Sequence, residues 1–99
     1  MNKTKTYIAY IYVTYRPDTK EFYIGSRTIK NKTPSDDFRY FGSGTWVKDM
    51  YKYGIYIKKE VLAVFSEKEK ARVYEFRAIN HFSKHPLNRN IHLGVNVGR

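Results

Sequence analysis

Two tyrosine-rich segments, separated by a turn signal, constrain the fold more than any other feature of this sequence. Residues 7–15 alternate with the period of two that is typical of a β-strand, which places Ala9, Ile11 and Val13 on one face. The opposite face carries Ile8, Tyr10, Tyr12 and Thr14. The first strand is therefore predicted to build an apolar core on one side and to present phenol groups on the other.

A turn and a second strand are predicted after this segment. Residues 16–19 have the composition of a turn, with a proline followed by an aspartate. In the returning strand, Phe22 and Ile24 continue the apolar face, whereas Tyr23 joins the face that carries the hydroxyl groups. The two segments thus predict an antiparallel hairpin whose tyrosines share one face.

The middle of the chain predicts a loop and a short helix. Residues 28–38 are polar and have no apolar periodicity, which indicates a loop. Apolar residues then recur at helical spacing over residues 46–51, which predicts a helix. Ser43 or Thr45 is its expected N-cap, and Gly54 lies just past its expected end.

The second half of the chain predicts a third strand and a longer helix. Residues 57–65 are rich in β-branched residues and become apolar on both faces after Glu60, which predicts a strand partly covered on each side. Residues 66–69 have the S-x-x-E form of a capping box and are expected to open a helix that runs to about Phe82. The tail, residues 87–99, is rich in Asn and Gly and predicts no regular element.

These elements predict one α+β domain that spans residues 1–99. Its expected architecture is a small three-stranded antiparallel sheet flanked by helices, in the order β-β-α-β-α, with an optional short C-terminal helix. A chain of 99 residues has little room for an internal ligand cavity, so a functional site is expected in a surface cleft.

The charge balance indicates the class of partner. The chain carries 19 Lys and Arg against 9 Asp and Glu, which gives a net charge of +10, and the basic residues are spread along it. A nucleic acid is the expected partner, with an anionic membrane as its rival. No apolar run approaches the ~20 residues of a spanning helix, and no signal-peptide pattern is present. The chain has no cysteine for a disulfide or thiolate site, and a soluble, cytoplasmic protein is expected.

One acidic residue stands out in the predicted second helix. Its apolar stripe consists of Ala71, Tyr74, Ala78, Ile79 and Phe82. Glu75 lies within this stripe, four residues from both Ala71 and Ile79. One interpretation places Glu75 at the margin of the stripe or beside an arginine that neutralises it. The other makes Glu75 a ligand for a hard cation such as Mg²⁺.

Arg27 and the two hairpin tyrosines allow two interpretations each. Arg27 follows the second strand and its glycine, where a rigid sheet edge can direct a guanidinium group at a phosphate. A solvated surface charge is the alternative. Tyr12 and Tyr23 suit a chemical role, but they suit ordinary cross-strand packing equally well.

Taken in order along the chain, these residues resemble the GIY-YIG nuclease family. The residues that carry the resemblance are Tyr10-Ile11-Tyr12, Tyr23-Ile24-Gly25, Arg27 and Glu75. Further segments are similar to small phage and mobile-element members of the family, including homing endonucleases. These are Tyr40-Phe41-Gly42-Ser43-Gly44, Lys52-Tyr53-Gly54 and Asn88-Arg89-Asn90-Ile91 before Gly94. The resemblance covers nearly the whole chain.

The resemblance implies metal-dependent hydrolysis of DNA phosphodiester bonds. Glu75 matches the family glutamate that holds one divalent ion, usually Mg²⁺, for which Mn²⁺ can substitute. Tyr12 is the expected general base, and Arg27 is expected to stabilise charge on the phosphate. Tyr23 would orient the phosphate or the water. Because free tyrosine titrates near ~10, the role of Tyr12 requires cationic surroundings, which Arg27 and the net charge are expected to supply.

Two further site residues follow from the same resemblance. Tyr40 occupies the position where some members carry a histidine, and Asn90 matches a C-terminal asparagine that helps to shape the site. Two departures are present, because Tyr10 stands where the family motif has glycine and no DNA-recognition domain follows Arg99. The expected partner is double-stranded DNA. The chain is expected to act as a monomer or homodimer, or as part of a longer protein, in the cytoplasm of a bacterial host if a phage encodes it.

Two other functions remain open at this point. A non-catalytic module that binds DNA or RNA would explain the charge and the aromatic residues, with Arg27 and Glu75 merely pairing with each other. A ribosome-associated or structural RNA-binding protein would share the composition, but it would not explain an acidic residue inside the helical stripe.

Overall fold

The computed structural model describes residues 7–90, which form three strands, a short 3₁₀ helix and two α-helices. The elements in chain order are β1 (Tyr7–Tyr15), β2 (Phe22–Lys30), the 3₁₀ helix (Pro34–Asp37), α1 (Thr45–Lys52), β3 (Lys58–Phe65) and α2 (Lys68–His81). The predicted α+β class and the order β-β-α-β-α are therefore confirmed. Residues 82–90 contain turns and one isolated bridge, between Phe22 and Asn88, and no helix. The rest of the predicted tail lies outside the described residues.

The sheet has β1 at its centre, in the order β2-β1-β3, and both pairings are antiparallel. The register places Tyr12 opposite Gly25 and Tyr10 opposite Arg27. Directly opposed residues share a face, so the predicted hairpin brings Arg27 to the same face as the tyrosines. The pairing of β1 with β3 shifts register between Ile11 and Tyr12.

Both faces of the hairpin are buried, so the predicted core is present on one face, but the tyrosines of the other face are covered rather than presented. One face packs against α2 and is built around Ala9, Ile11, Ile24 and Ala71. The other face carries Tyr10, Tyr12 and Ile29, with Tyr23 and Tyr40 packed against them. A separate cluster of Val47, Met50 and Ile57 joins α1 to the residue that precedes β3.

The prediction of a loop over residues 28–38 is wrong for two segments, which are regular secondary structure. Strand β2 continues to Lys30, and the 3₁₀ helix occupies Pro34–Asp37. The 3₁₀ helix has a reciprocal cap, because the Thr33 hydroxyl accepts from the Asp36 N–H and the Asp36 carboxylate accepts from the Thr33 N–H. A helix of four residues leaves no apolar periodicity in the sequence, which is why the pattern indicated a loop.

The predicted N-caps are also wrong, whereas Gly54 does lie just past the end of α1, with a φ of +66°. Gly44 is the N-cap of α1 and Glu67 is the N-cap of α2, and neither cap makes a side-chain hydrogen bond. A Cβ atom on Gly44 would lie 2.5 Å from the Tyr23 ring, so close packing rather than capping chemistry selects glycine there. Ser66 directly follows the last residue of β3 and therefore lies one position too early to cap α2.

Strand β3 is more exposed than predicted. Its apolar residues Val61, Leu62 and Val64 are 42%, 45% and 52% exposed. Strand order alone is not the reason, since β2 lies at the other edge and its Ile24 and Ile29 are buried; the faces of β3 are instead covered less by the rest of the chain. Its alternation alone did not distinguish an edge strand from a central one. Among residues 7–90, no helix is long and apolar enough to cross a membrane.

Candidate active site

Four tyrosines pack together on the sheet face opposite α2. Tyr10 and Tyr12 are fully buried, at 0% and 1% exposure. The Tyr12 ring centroid lies 5.8 Å from that of Tyr10, 6.4 Å from that of Tyr23 and 5.9 Å from that of Tyr40. The structure thus brings together the three predicted site tyrosines, Tyr12, Tyr23 and Tyr40, with Tyr12 in the centre.

Two glycines leave room for these rings. A Cβ atom on Gly25 would lie 2.3 Å from the Tyr12 hydroxyl oxygen, so the phenol occupies the space that any other residue would fill. Gly42 has a φ of +132° and would place a Cβ atom 2.9 Å from the Tyr23 ring. Both glycines therefore have a packing function, and for Gly42 the backbone conformation also requires glycine.

Arg27 extends from β2 over the tyrosine cluster and is held there by two interactions. Its Nε and Nη2 atoms donate to the two carboxylate oxygens of Asp37, at 2.9 Å and 3.3 Å. Its guanidinium carbon lies 3.8 Å from the centroid of the Tyr40 ring. The Arg27 side chain is about one-third exposed, at 34%, so it is oriented by the protein and still reaches solvent.

Asp37 is the centre of a polar network that the sequence analysis did not predict. Its carboxylate accepts from the Tyr10 hydroxyl at 2.5 Å and lies 3.3 Å from the Lys32 Nζ. The Nζ of Lys59 donates to the Tyr10 hydroxyl and to the Asp37 carbonyl oxygen, both at 2.9 Å. Burial alone would raise the pKa of Asp37, but the hydrogen bonds from Arg27, Tyr10 and Lys32 lower it to about 2.

Lys59 is the second residue that the sequence analysis missed. It is partly buried against the Tyr10 ring, 5.0 Å from its centroid, and burial lowers the pKa of its amine. The only sequence signals for this network were two adjacent aspartates at positions 36 and 37 and two adjacent lysines at positions 58 and 59. Neither pair indicates which member faces inward.

Glu75 approaches the hairpin from the other side of β2. The Ser26 hydroxyl donates to Glu75 Oε1 at 2.7 Å. Ser26 and Arg27 are neighbours in the strand and point to opposite faces, so the carboxylate lies on the α2 side and the guanidinium on the tyrosine side. The charge of Glu75 nevertheless contributes to raising the pKa of Tyr23, after the larger effect of burial. Glu75 thus influences the cluster across the edge strand β2.

This geometry answers two of the open interpretations. Within residues 7–90, the ion pairs do not include Glu75, so its stabilising partner is the Ser26 hydroxyl rather than an arginine. Arg27 pairs with Asp37. The expected pairing of Arg27 with Glu75 in a non-catalytic module is therefore wrong, and Arg27 is not a freely solvated charge.

Asn90 forms hydrogen bonds with the outer edge of β2. Its Oδ1 accepts from the Ile24 N–H at 2.9 Å, and its Nδ2 donates to the Ile24 carbonyl oxygen at 2.7 Å. Ile24 lies between Tyr23 and Gly25, so this amide contact fixes the backbone that carries both. Asn90 is thereby placed to shape the site through the strand rather than by contact with the tyrosine rings.

The pKa of Tyr12 shifts against its predicted role. Burial raises it well above the ordinary range for tyrosine, and the neighbouring Tyr23 and Tyr40 raise it further. The expectation that cationic surroundings lower this pKa is wrong, because loss of hydration outweighs the positive charge nearby. Tyr12 is therefore a buried, neutral phenol rather than a readily formed phenolate.

The Mg²⁺ ion that the resemblance implies would need oxygen donors from the protein. Within residues 7–90, no three His, Cys, Asp or Glu side chains are grouped to hold a metal ion. Mg²⁺ usually keeps several waters and binds one or two carboxylates together with substrate phosphates. Glu75 supplies one partly exposed carboxylate beside the hairpin. These residues fit an ion that is completed by water and phosphate, and they do not form a cage for one.

Arg27, Tyr23 and Tyr40 therefore surround the buried Tyr12 on one face of the sheet, whereas Glu75 lies on the α2 side of β2 and Asn90 lies along its outer edge. Such a set can bind and orient a phosphate diester and a water molecule. Comparison with known proteins adds no relative, since no protein-family model, no curated protein sequence and no solved structure matches this chain.

Proposed function

We propose that this protein is a metal-dependent endonuclease that hydrolyses DNA phosphodiester bonds in the cleft around Tyr12. The observation that carries this proposal is the orientation of Arg27. A buried carboxylate binds its guanidinium group and the Tyr40 ring packs beneath it, while about one-third of the side chain remains exposed to solvent. A solvated lysine or arginine on a binding surface does not need such support.

In this proposal each residue acts through the atoms that it presents to the cleft. Arg27 binds the non-bridging phosphate oxygens and stabilises the charge that gathers on them. Neutral Tyr12 and Tyr23 hydrogen-bond to the attacking water and to the phosphate. The water oxygen bonds to phosphorus as the bond to the leaving oxygen breaks, and one water proton ends on that leaving oxygen.

Glu75 is the residue that would hold the divalent ion. A bound Mg²⁺ or Mn²⁺ ion supplies stabilisation of negative charge at the leaving oxygen. Ser26 orients the Glu75 carboxylate through its hydroxyl, and Asn90 keeps the strand between them in place. Asp37 is a positioning residue, because it acts on the phosphate only through Arg27.

The test is nicking of supercoiled plasmid with Mg²⁺, in the presence and absence of a chelator. We expect Arg27→Ala and Glu75→Ala each to lower the nicking rate by about 100-fold or more. Arg72→Ala and Glu69→Ala are matched controls, because both side chains are exposed on α2, and they should nick at the wild-type rate. The absence of nicking by the intact chain with any divalent metal, or full activity of Glu75→Ala, would contradict the proposal.

The net charge of +10 also favours a second candidate, a non-catalytic nucleic-acid-binding module. In that case binding weakens with salt and no strand is cut. The two candidates differ in the effect of Arg27→Ala. A nuclease loses its cleavage rate with little change in affinity for DNA, whereas a binding module loses only the contribution of one phosphate contact.

A further inference from the structure

A groove lies beside the tyrosine cluster, and the proposed mechanism does not use it. It has a volume of about 650 Å³ and lies between the 3₁₀ helix and β3. Its lining includes Phe38, Tyr56, Val61, Val64, Lys58 and Lys59. Phe38 and Tyr56 are 62% and 69% exposed, although aromatic side chains of this size are usually covered. Other aromatic residues are as exposed, but Phe38 and Tyr56 line one groove, where two rings can bind a ligand together.

Three occupants suit an apolar groove, and charge distinguishes between them. Another copy of this chain would bring one net charge of +10 against another, which opposes association. The described residues that line the groove include two lysines and no acidic side chain. An apolar protein partner would not need those lysines. The cation of Arg39 lies 5.4 Å from the Phe38 ring centroid and adds positive charge at the rim. Aromatic rings flanked by cations suit a strand with unpaired bases.

We propose that this groove binds unpaired bases of a DNA strand by stacking them on Phe38 and Tyr56. The position of the groove connects it to the cleft, because Lys59 lines the groove and also donates to the Tyr10 hydroxyl. For its biological meaning the inference rests on the proposed nuclease function. It narrows the substrate to DNA with unpaired bases beside the cut, since bases stacked inside a duplex cannot reach such a groove.

The experiment measures binding without cleavage. Fluorescence anisotropy in EDTA compares a labelled oligothymidylate of about 15 nucleotides with an abasic oligonucleotide of equal length and charge. We expect the wild type to bind the oligothymidylate more tightly. Phe38→Ala and Tyr56→Ala should each weaken that binding about fivefold or more, and should leave binding of the abasic strand unchanged. Tyr56→Phe keeps the ring and should bind as the wild type does.

Matched controls come from exposed aromatic residues elsewhere on the chain. Tyr53 and Phe76 are 67% and 55% exposed and do not line the groove, so their alanine variants should bind both strands normally. Amide shift mapping of the wild type with oligothymidylate provides a second measurement that needs no variant. It should show the largest changes at residues 35–41 and 56–64.

Each contrary outcome has a distinct meaning. Equal affinity for the two strands, equal loss on Tyr53→Ala, or no binding of either strand overturns the stacking groove. A dimer in solution that Phe38→Ala dissociates also overturns it and assigns the groove to a second copy. If the chain nicks plasmid but fails the stacking test, only the groove is wrong. If it stacks bases but cuts neither plasmid nor a duplex oligonucleotide that carries a stretch of unpaired bases, only the nuclease function is wrong.

Discussion

The two faces of the sheet are buried to a similar depth, but different interactions hold them together. On the α2 face, Ile11, Ile24 and Ala71 make apolar contacts, which depend on volume more than on direction. On the opposite face, Tyr10 and Tyr12 are equally buried, but Tyr10 is held by the Asp37 carboxylate and the Lys59 amine. Burial by itself therefore does not distinguish the two faces. The directional hydrogen bonds of the tyrosine face do.

This difference predicts a division of effects between the two faces. Changes of volume on the α2 face should lower stability and leave the geometry of the cleft intact. Changes on the tyrosine face should disturb cleavage more than their effect on stability would suggest, because hydrogen bonds and close ring contacts fix the relative positions of the groups.

The largest expected loss of stability comes from Ile11→Ala on the α2 face. Ile11 is fully buried, and removal of its side chain should lower the free energy of unfolding by about 3 kcal/mol. Urea unfolding measures this loss, and Ile11→Val should cost only about 1 kcal/mol. At a temperature where the variant is folded, its nicking rate should stay within about threefold of wild type. A much larger loss of nicking would break the division between the faces.

Gly25→Ala tests the tyrosine face through packing alone. The added Cβ atom would lie 2.3 Å from the Tyr12 hydroxyl oxygen, so the ring must move. We expect a loss of about 2 kcal/mol in stability, together with a loss of nicking that exceeds the one caused by Ile11→Ala. Gly54→Ala is the control, because it has a φ of +66° and nothing within 4 Å of the added atom. It should lose about 1 kcal/mol from strain and nick normally.

Asp37→Asn tests the same face through charge. It removes the carboxylate that Arg27 and Lys32 contact. The free energy of unfolding should fall by about 2 kcal/mol. This loss is smaller than for a fully buried ion pair because both cations are partly exposed. Nicking should fall by about tenfold or more while affinity for DNA is kept. The control is Asp36→Asn, which affects only the cap of the 3₁₀ helix. Parallel losses in stability, affinity and rate would show that Asp37 is merely structural.

The pH dependence of stability tests the charge of Asp37 without a substitution, and the expected change in stability is smaller. The pKa of Asp37 is lowered to about 2 in the folded protein, from an ordinary value of 3.8. Its contribution is therefore present above about pH 4 and is lost as the pH falls through about 2. Thermal unfolding between pH 2 and pH 6 should show a steeper acid decline in the wild type than in Asp37→Asn. Identical declines would contradict the assigned pairing.

The hairpin and its two faces could be predicted because they depend on local alternation. The register was not predicted, because Arg27 was expected just after the second strand, whereas β2 continues to Lys30 and pairs Arg27 with Tyr10. Glu75 was found by a local signal of the same kind, an acidic residue in an apolar helical stripe.

The Asp37 network could not be predicted because it depends on contacts between distant segments. Asp36 and Asp37 are adjacent acids in a polar stretch, and only the folded chain turns the second one toward Arg27 and Tyr10. The exposure of β3 likewise depends on which distant segments cover its faces, which alternation does not encode. The pKa of Tyr12 was misjudged because net charge is a property of the whole chain, whereas loss of hydration is local to one buried ring.

The segment that ends in Asn90 has a consequence for self-association. An edge strand offers unpaired N–H and C=O groups to which a strand of another chain can add. At the start of β2 that position is already taken, since the Phe22 N–H donates to the Leu87 carbonyl oxygen, the Phe22 carbonyl oxygen accepts from the Arg89 N–H, and Asn90 bonds both backbone groups of Ile24. A strand of another chain therefore cannot add at residues 22–24 without displacing this segment. At the opposite edge, the charges at residues 58–60 oppose the same kind of pairing.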